Sequence, residues 1–151
     1  SLIFTYPSSD IGNKKLIKIM EQFKIKNNNV RIFKSLGDKN YLSIMKYCKL
    51  VIGNSSSGLA EAPSFNVPTI NVGDRQKGRM CAKSVINTRG IEKDIRKAIS
   101  KGLSKKFKKS LSKNVNPYGN GGAILKIYKI IKKFKIKENL VRKSFYDLNK
   151  F

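Results

Sequence analysis

Short apolar runs alternate along this chain with longer stretches in which apolar residues return every three or four positions. Leu2-Ile3-Phe4-Thr5-Tyr6 reads as a short buried strand, and Pro7-Ser8-Ser9-Asp10 as a turn carrying helix-capping side chains. From Ile11 to Phe23, Leu16, Ile17, Ile19, Met20 and Phe23 share one helical face, opposite Lys14, Lys15, Lys18 and Glu21. Asn27-Asn28-Asn29 interrupts, Val30-Arg31-Ile32-Phe33 makes a second strand, and Gly37-Asp38 caps a helix bearing Tyr41, Leu42, Met45 and Cys48. Leu50-Val51-Ile52 is an apolar run ending in Gly53-Asn54, with a short helix through Leu59 and Ala60 expected next. Val67 to Val72 and Ser84-Val85-Ile86 read as further strands.

Ile91, Ile95, Ala98 and Ile99 mark another helix, with Glu92 and Asp94 in its first turn and Lys101 near its end, a charge order that suits the helix dipole. After the turn-rich Asn116 to Gly122, a long helix is expected to turn Ile124, Ile127, Tyr128, Ile131 and Phe134 inward. Leu140, Phe145, Tyr146 and Leu148 suggest one more helix in the tail. Strands alternating with helices predict an α/β fold, a doubly wound, mostly parallel, Rossmann-like sheet. The expected division is one such domain over 1–134 and a helical tail over 135–151.

Composition narrows the chemistry. The chain has 151 residues, 40% of them hydrophobic, enough for one domain with a core. No apolar run approaches the ~18 residues that span a bilayer. The beginning shows no secretory pattern and reads as abrupt, as if cut from something longer. Cys48 and Cys81 form no CxxC pair and there is no histidine, so a zinc site lacks ligands and a histidine-activated nucleophile is excluded. The cysteines read as small buried hydrophobes in a reducing, cytoplasmic setting. Any acid or base is therefore a carboxylate, Lys, Tyr or Cys, or lies elsewhere.

The net charge of +24 makes polyanions obvious partners, but Lys105 to Lys109 and Ile131 to Lys135 interleave apolar residues at helical spacing, the mark of solvated lysine faces. A nucleic-acid binder is favoured only by this charge, since aromatics interleaved on an exposed sheet are not evident.

In a doubly wound sheet, ligands bind beyond the carboxyl ends of the strands. Asn54-Ser55-Ser56-Ser57-Gly58, at the end of Val51-Ile52-Gly53, offers small residues, hydroxyl donors and a helix start suited to a pyrophosphate. Glu61 would repel phosphate and suits sugar hydroxyls instead. Arg75 and Arg79 flank a Gly73/Gly78 loop and suit phosphate by their planar forks. Spacing alone serves equally well a serine-rich helix cap with surface arginines.

Asn54 to Pro63, with Pro68-Thr69-Ile70-Asn71 and Gly73 to Arg79, closely resembles the UDP-N-acetylglucosamine 2-epimerases. It is more similar to their hydrolysing, sialic-acid-pathway branch than to the non-hydrolysing branch, which carries an Asp-Ser-Gly-Gly loop. The likeness extends from Thr5-Tyr6-Pro7 through Tyr41 to Lys46 to Asn116-Pro117-Tyr118-Gly119, nearly the whole chain. It implies the C-terminal half of a GT-B-type, two-domain enzyme. By position, it implies that Ser55, Ser56 and Ser57 contact the diphosphate and Glu61 the ribose. Arg75 and Arg79 would bind phosphate, Tyr41 would lie against the uracil, and the backbone at Leu36 would meet the uracil edge.

The catalytic acids are expected mainly on the absent N-terminal domain, which would leave the isolated chain without turnover. The resemblance implies no metal and no cofactor, a UDP-sugar substrate and a homo-oligomeric full-length protein without membrane attachment. Tyr6 stands where many relatives carry histidine, a departure that leaves a diacetamido-trideoxy hexose open as substrate. A GT-B glycosyltransferase half is the remaining alternative, and the Gly73 to Arg79 segment argues against it.

Overall fold

A computed structural model describes residues 1–135; the expectations for the tail at Leu140, Phe145, Tyr146 and Leu148 lie outside the described residues. Packing divides the chain at Tyr118, into a compact unit Ser1–Tyr118 and a second one from Gly119 onward.

In the first unit, strands and helices alternate as the apolar rhythm predicts: β1 (Leu2–Thr5), α1 (Asn13–Ile25), β2 (Val30–Phe33), α2 (Gly37–Tyr47), β3 (Val51–Gly53), α3 (Ser57–Ala60), β4 (Thr69–Val72), β5 (Val85–Thr88), α4 (Glu92–Leu103) and α5 (Lys105–Ser110). A single 3₁₀ turn, Ala62–Phe65, follows α3, and another, Leu111–Lys113, follows α5. All strand pairings are parallel. β1 pairs with β2, Leu2 opposite Val30, while β3, β4 and β5 form a separate sheet in that order. The fold is α/β.

The core lies around β4. Thr69, Ile70 and Asn71 are buried, as the strand flanked on both edges should be. Its side chains alternate between faces. A Cβ on Gly58 of α3 would meet Thr69 Cγ2 at 2.8 Å, and one on Gly102 of α4 would come within 3.5 Å of Ile70 Cδ1. α3 and α4 therefore cover opposite faces of β4, the doubly wound arrangement. Leu59, Ala62, Ala98 and Leu111 complete this core. Two asparagines stitch its α3 side: Asn114 Nδ2 donates to the Pro63 carbonyl at 3.0 Å, and Asn116 Nδ2 to the Ala60 carbonyl at 2.7 Å.

Several expectations are corrected. β1 is not a buried strand: Leu2, Ile3 and Thr5 are exposed, because among the described residues one edge of β1 has no partner strand. Of the apolar face of α1 only Met20 is buried, while Leu16, Ile19 and Phe23 remain exposed. No side chain caps α1; Gly12 at φ 89° opens it, and Ser8 donates to the Asp10 carboxylate instead. Gly37 and Asp38 are the first helical residues of α2 rather than its cap, which is Leu36. Cys81 is exposed and Cys48 only half-buried, where burial raises the thiol pKa above its usual value.

In the second unit, α6 (Ala123–Lys133) has the expected amphipathic pattern, yet Ile124, Ile127, Tyr128, Ile131 and Phe134 are exposed rather than turned inward. The lysines of α5 are exposed, as solvated faces should be. Among the described residues no helix is long and apolar enough to cross a membrane.

Candidate functional site at the carboxyl ends of β1 and β3

β1 and β3 end at the same side of the first unit, and between them opens a cavity of about 310 Å³. Chain direction explains its position. From β1 the chain steps to β2 on one side, and from β3 it steps to β4 and β5 on the other. The cavity therefore sits where the winding reverses, the place at which α/β sheets hold ligands.

The serine loop forms one wall. Asn54, Ser55, Ser57 and Gly58 border the cavity, with Tyr41 from α2 and Tyr6 from the end of β1. Tyr41 and Ser57 share a hydrogen bond of 2.6 Å between their hydroxyls, and the Ser57 hydroxyl also donates to Ser55 Oγ at 3.2 Å. The chain of hydroxyls fixes the loop from the side of α2. Across the cavity, the Tyr6 hydroxyl donates to Glu21 at 3.2 Å; desolvation, then the Glu21 hydrogen bond and charge, raise its pKa above the ordinary phenol value. Thr69 lies on the floor, 2% exposed, and its hydroxyl has no partner among the described residues.

Two features of the local build differ from the sequence expectation. α3 is one turn of four residues, so it contributes little dipole, and what the loop presents to the cavity is mainly its hydroxyls. Gly58, expected to admit a ligand to the backbone, is buried and is small because α3 packs directly on Thr69.

The remaining predicted residues stand around rather than in the cavity. Ser56 is the exposed N-cap residue of α3, Glu61 its exposed C-cap, and Leu36 the N-cap of α2. Arg75 reaches back to Asp10 at 3.6 Å in an exposed pair, worth at most about 1 kcal/mol and easily exchanged for another anion. Arg79 is exposed and has no ion pair among the described residues.

What joins the arginine loop to the serine loop is a residue that sequence reasoning passed over. Gln76 is 5% exposed, and its Nε2 donates to the Asn54 carbonyl at 2.7 Å. Behind it, Asn71 Nδ2 donates to Asn87 Oδ1 at 2.8 Å across β4 and β5. Buried amides carry no periodic signal, so only their neighbours in space reveal them. Among the described residues no cluster of His, Cys, Asp or Glu is arranged to hold a metal ion.

Comparison with known proteins gives the family. The family described as UDP-N-acetylglucosamine 2-epimerase matches residues 1–132. The chain belongs to that family. Within it, polysialic acid biosynthesis protein P7 of Escherichia coli is 37% identical over 140 residues, 93% of this chain and 34% of that protein. The hydrolysing GDP/UDP-N,N'-diacetylbacillosamine 2-epimerase of Campylobacter jejuni is 44% identical over 89 residues, 58% of this chain and 23% of that protein. A solved structure from Listeria monocytogenes, provisionally assigned as a UDP-N-acetylglucosamine 2-epimerase, shares the fold with a TM-score of 0.57 at 16% identity, over 87% of this chain and 44% of its own. The chain thus spans about a third of the length of the E. coli relative and under half of the solved one.

Proposed function

We propose that this chain is the nucleotide-holding, C-terminal part of a hydrolysing 2-epimerase that acts on a UDP-linked N-acetylhexosamine. The observation that carries the reading is the meeting of Tyr41, Ser55 and Ser57 on one cavity at the winding reversal, with Gln76 tying the Arg75 loop to Asn54. Ser55, Ser56 and Ser57 hold the diphosphate, Arg75 leaves Asp10 to pair with it, and Arg79 adds a second positive charge. Glu61 accepts from the ribose hydroxyls, Tyr41 lies against the base, and Leu36 presents backbone to the uracil edge.

In the reaction, a base takes the C2 proton while the C1–O bond to UDP breaks, giving a glycal. Water then returns a hydroxyl to C1 and a proton to the opposite face of C2, releasing the manno sugar. Holding UDP as charge develops on the leaving oxygen is this chain's share of the work. The groups that move the C2 proton belong to the other part of the enzyme, so the isolated chain binds without turnover. The product is N-acetylmannosamine, and the C. jejuni relative and Tyr6 leave a related diacetamido sugar as the substrate variant.

Calorimetric titration with UDP tests this reading. Saturable one-site binding is expected, weakened about tenfold, or ~1.4 kcal/mol, in Glu61→Ala and in Arg75→Ala. Wild-type affinity in both variants overturns the site assignment.

A further inference from the structure

Two loops meet beside the serine loop through one pair of charges. Asp10 lies between β1 and α1, Arg75 between β4 and β5, and Arg75 Nη2 stands 3.6 Å from Asp10 Oδ2. Other contacts already fix both backbones. Asn13 donates its N–H to the Asp10 carbonyl at 3.1 Å, and the Ser8 hydroxyl donates to Asp10 Oδ2 at 2.6 Å. On the facing loop Gly73 donates to the Thr88 carbonyl at 2.8 Å and Lys77 to the Asp74 carbonyl at 2.9 Å, while buried Gln76 holds the Asn54 carbonyl. Asp10 is thus a fixed carboxylate, and Arg75 a free fork on an anchored stem.

Their contact is longer than a hydrogen bond, and the oxygen that Arg75 meets already accepts from Ser8. Among the described residues Arg75 has no other ion pair, so most of its five N–H donors stay open. A diphosphate offers the planar fork two oxygens at once, which one distant carboxylate oxygen does not. The guanidinium cannot serve both anions at full strength, and a carboxylate left beside bound diphosphate repels it. We propose that Asp10 is a positioning residue acting through Arg75. It parks the fork while the site is empty, yields it to the diphosphate, and speeds release of the nucleotide by reclaiming it. This rests on the nucleotide reading and adds regulation to it: Asp10 is an internal competitor that lowers affinity and shortens residence. An exposed pair of this kind is weak enough to exchange, yet sets affinity by a factor of about two to five.

The test compares the full chain with Asp10→Asn, Arg75→Ala and the double variant. Affinity for UDP and for inorganic pyrophosphate is read by calorimetry, and UDP release by stopped-flow displacement of a fluorescent UDP analogue. Asparagine keeps the shape of Asp10 and an acceptor for Ser8 while removing the charge, so the urea midpoint should hold. Asp10→Asn should tighten both ligands about two- to fivefold, with the gain in slower release. In the Arg75→Ala background the same substitution should change affinity by less than about 1.5-fold, because its effect passes through the fork. Unchanged or weaker binding in Asp10→Asn overturns the inference, whether or not the urea midpoint also falls. An equal gain in both backgrounds overturns it too, since it would mark Asp10 as a general repulsive charge. If UDP fails to bind while pyrophosphate shows the expected cycle, the nucleotide reading falls and the exchange stands. If neither ligand binds, both fall.

Discussion

Gly58→Ala is a small change with a calculable consequence. The new Cβ would stand 2.8 Å from Thr69 Cγ2, and ordinary contact begins near 3.4 Å, so about 0.6 Å must open between α3 and β4. Thr69 cannot yield easily: it is β-branched, 2% exposed, and held in the strand flanked on both edges. Overpacking of this kind costs about 1–3 kcal/mol, against which alanine in place of glycine in a helix returns roughly 0.5–1 kcal/mol. The net expectation is a loss of about 1–2 kcal/mol. Thr69→Ser removes the clashing methyl, keeps the hydroxyl, and alone costs about 1 kcal/mol for lost burial.

In the double variant the clash is gone, so the two costs should not add. The pair should be about 1–3 kcal/mol more stable than the sum of the singles, measured from urea midpoints at unchanged slope. Displacing α3 also shifts Ser57, so Gly58→Ala should weaken UDP binding and the double variant should restore it. Additivity within about 0.5 kcal/mol refutes direct packing of Gly58 on Thr69.

Other expectations follow from single contacts. Ser57→Ala breaks the 2.6 Å bond to Tyr41 and removes a diphosphate donor, so UDP affinity should fall about tenfold while urea stability drops only by ~1 kcal/mol. Gln76→Leu leaves the Asn54 carbonyl without its donor; it should cost about 1–3 kcal/mol by urea unfolding and weaken UDP binding through a loosened arginine loop. The raised Tyr6 pKa means that the native state holds the phenolic proton more tightly than the unfolded chain does. Its stabilising effect is complete below the ordinary value of 10.0 and lost as pH rises through the raised one. Wild type should therefore lose more stability across this interval than Tyr6→Phe, by urea unfolding at matched pH.

The alternation of elements was legible because each strand is a compact apolar run and each long helix an amphipathic repeat. The serine loop was legible as chemistry, through small and hydroxylated residues at a strand end. Burial was less so. Leu2, Ile3 and Leu16 have the residue types of a core, but their exposure depends on an edge that has no partner among the described residues, a matter of long-range topology. The contacts of Gln76, Asn114 and Asn116 were not legible because an amide's structural role is recognised by the carbonyl it meets, and those carbonyls lie 22 to 56 residues away in sequence. Gly58 has the same local signature whether it admits a phosphate or a neighbouring strand, and only the distance to Thr69 decides.

The central claim is that the nucleotide sits on the rim at the carboxyl ends of β1 and β3. Amide chemical-shift mapping during a UDP titration tests it most directly. The largest shifts are expected at Asn54 to Gly58, with Tyr41 and the Gly73 to Arg79 loop following at the same apparent affinity. Shifts confined to the lysines of α5 and α6, and abolished by moderate salt, would show only non-specific attraction of an anion to a basic chain and would contradict the account.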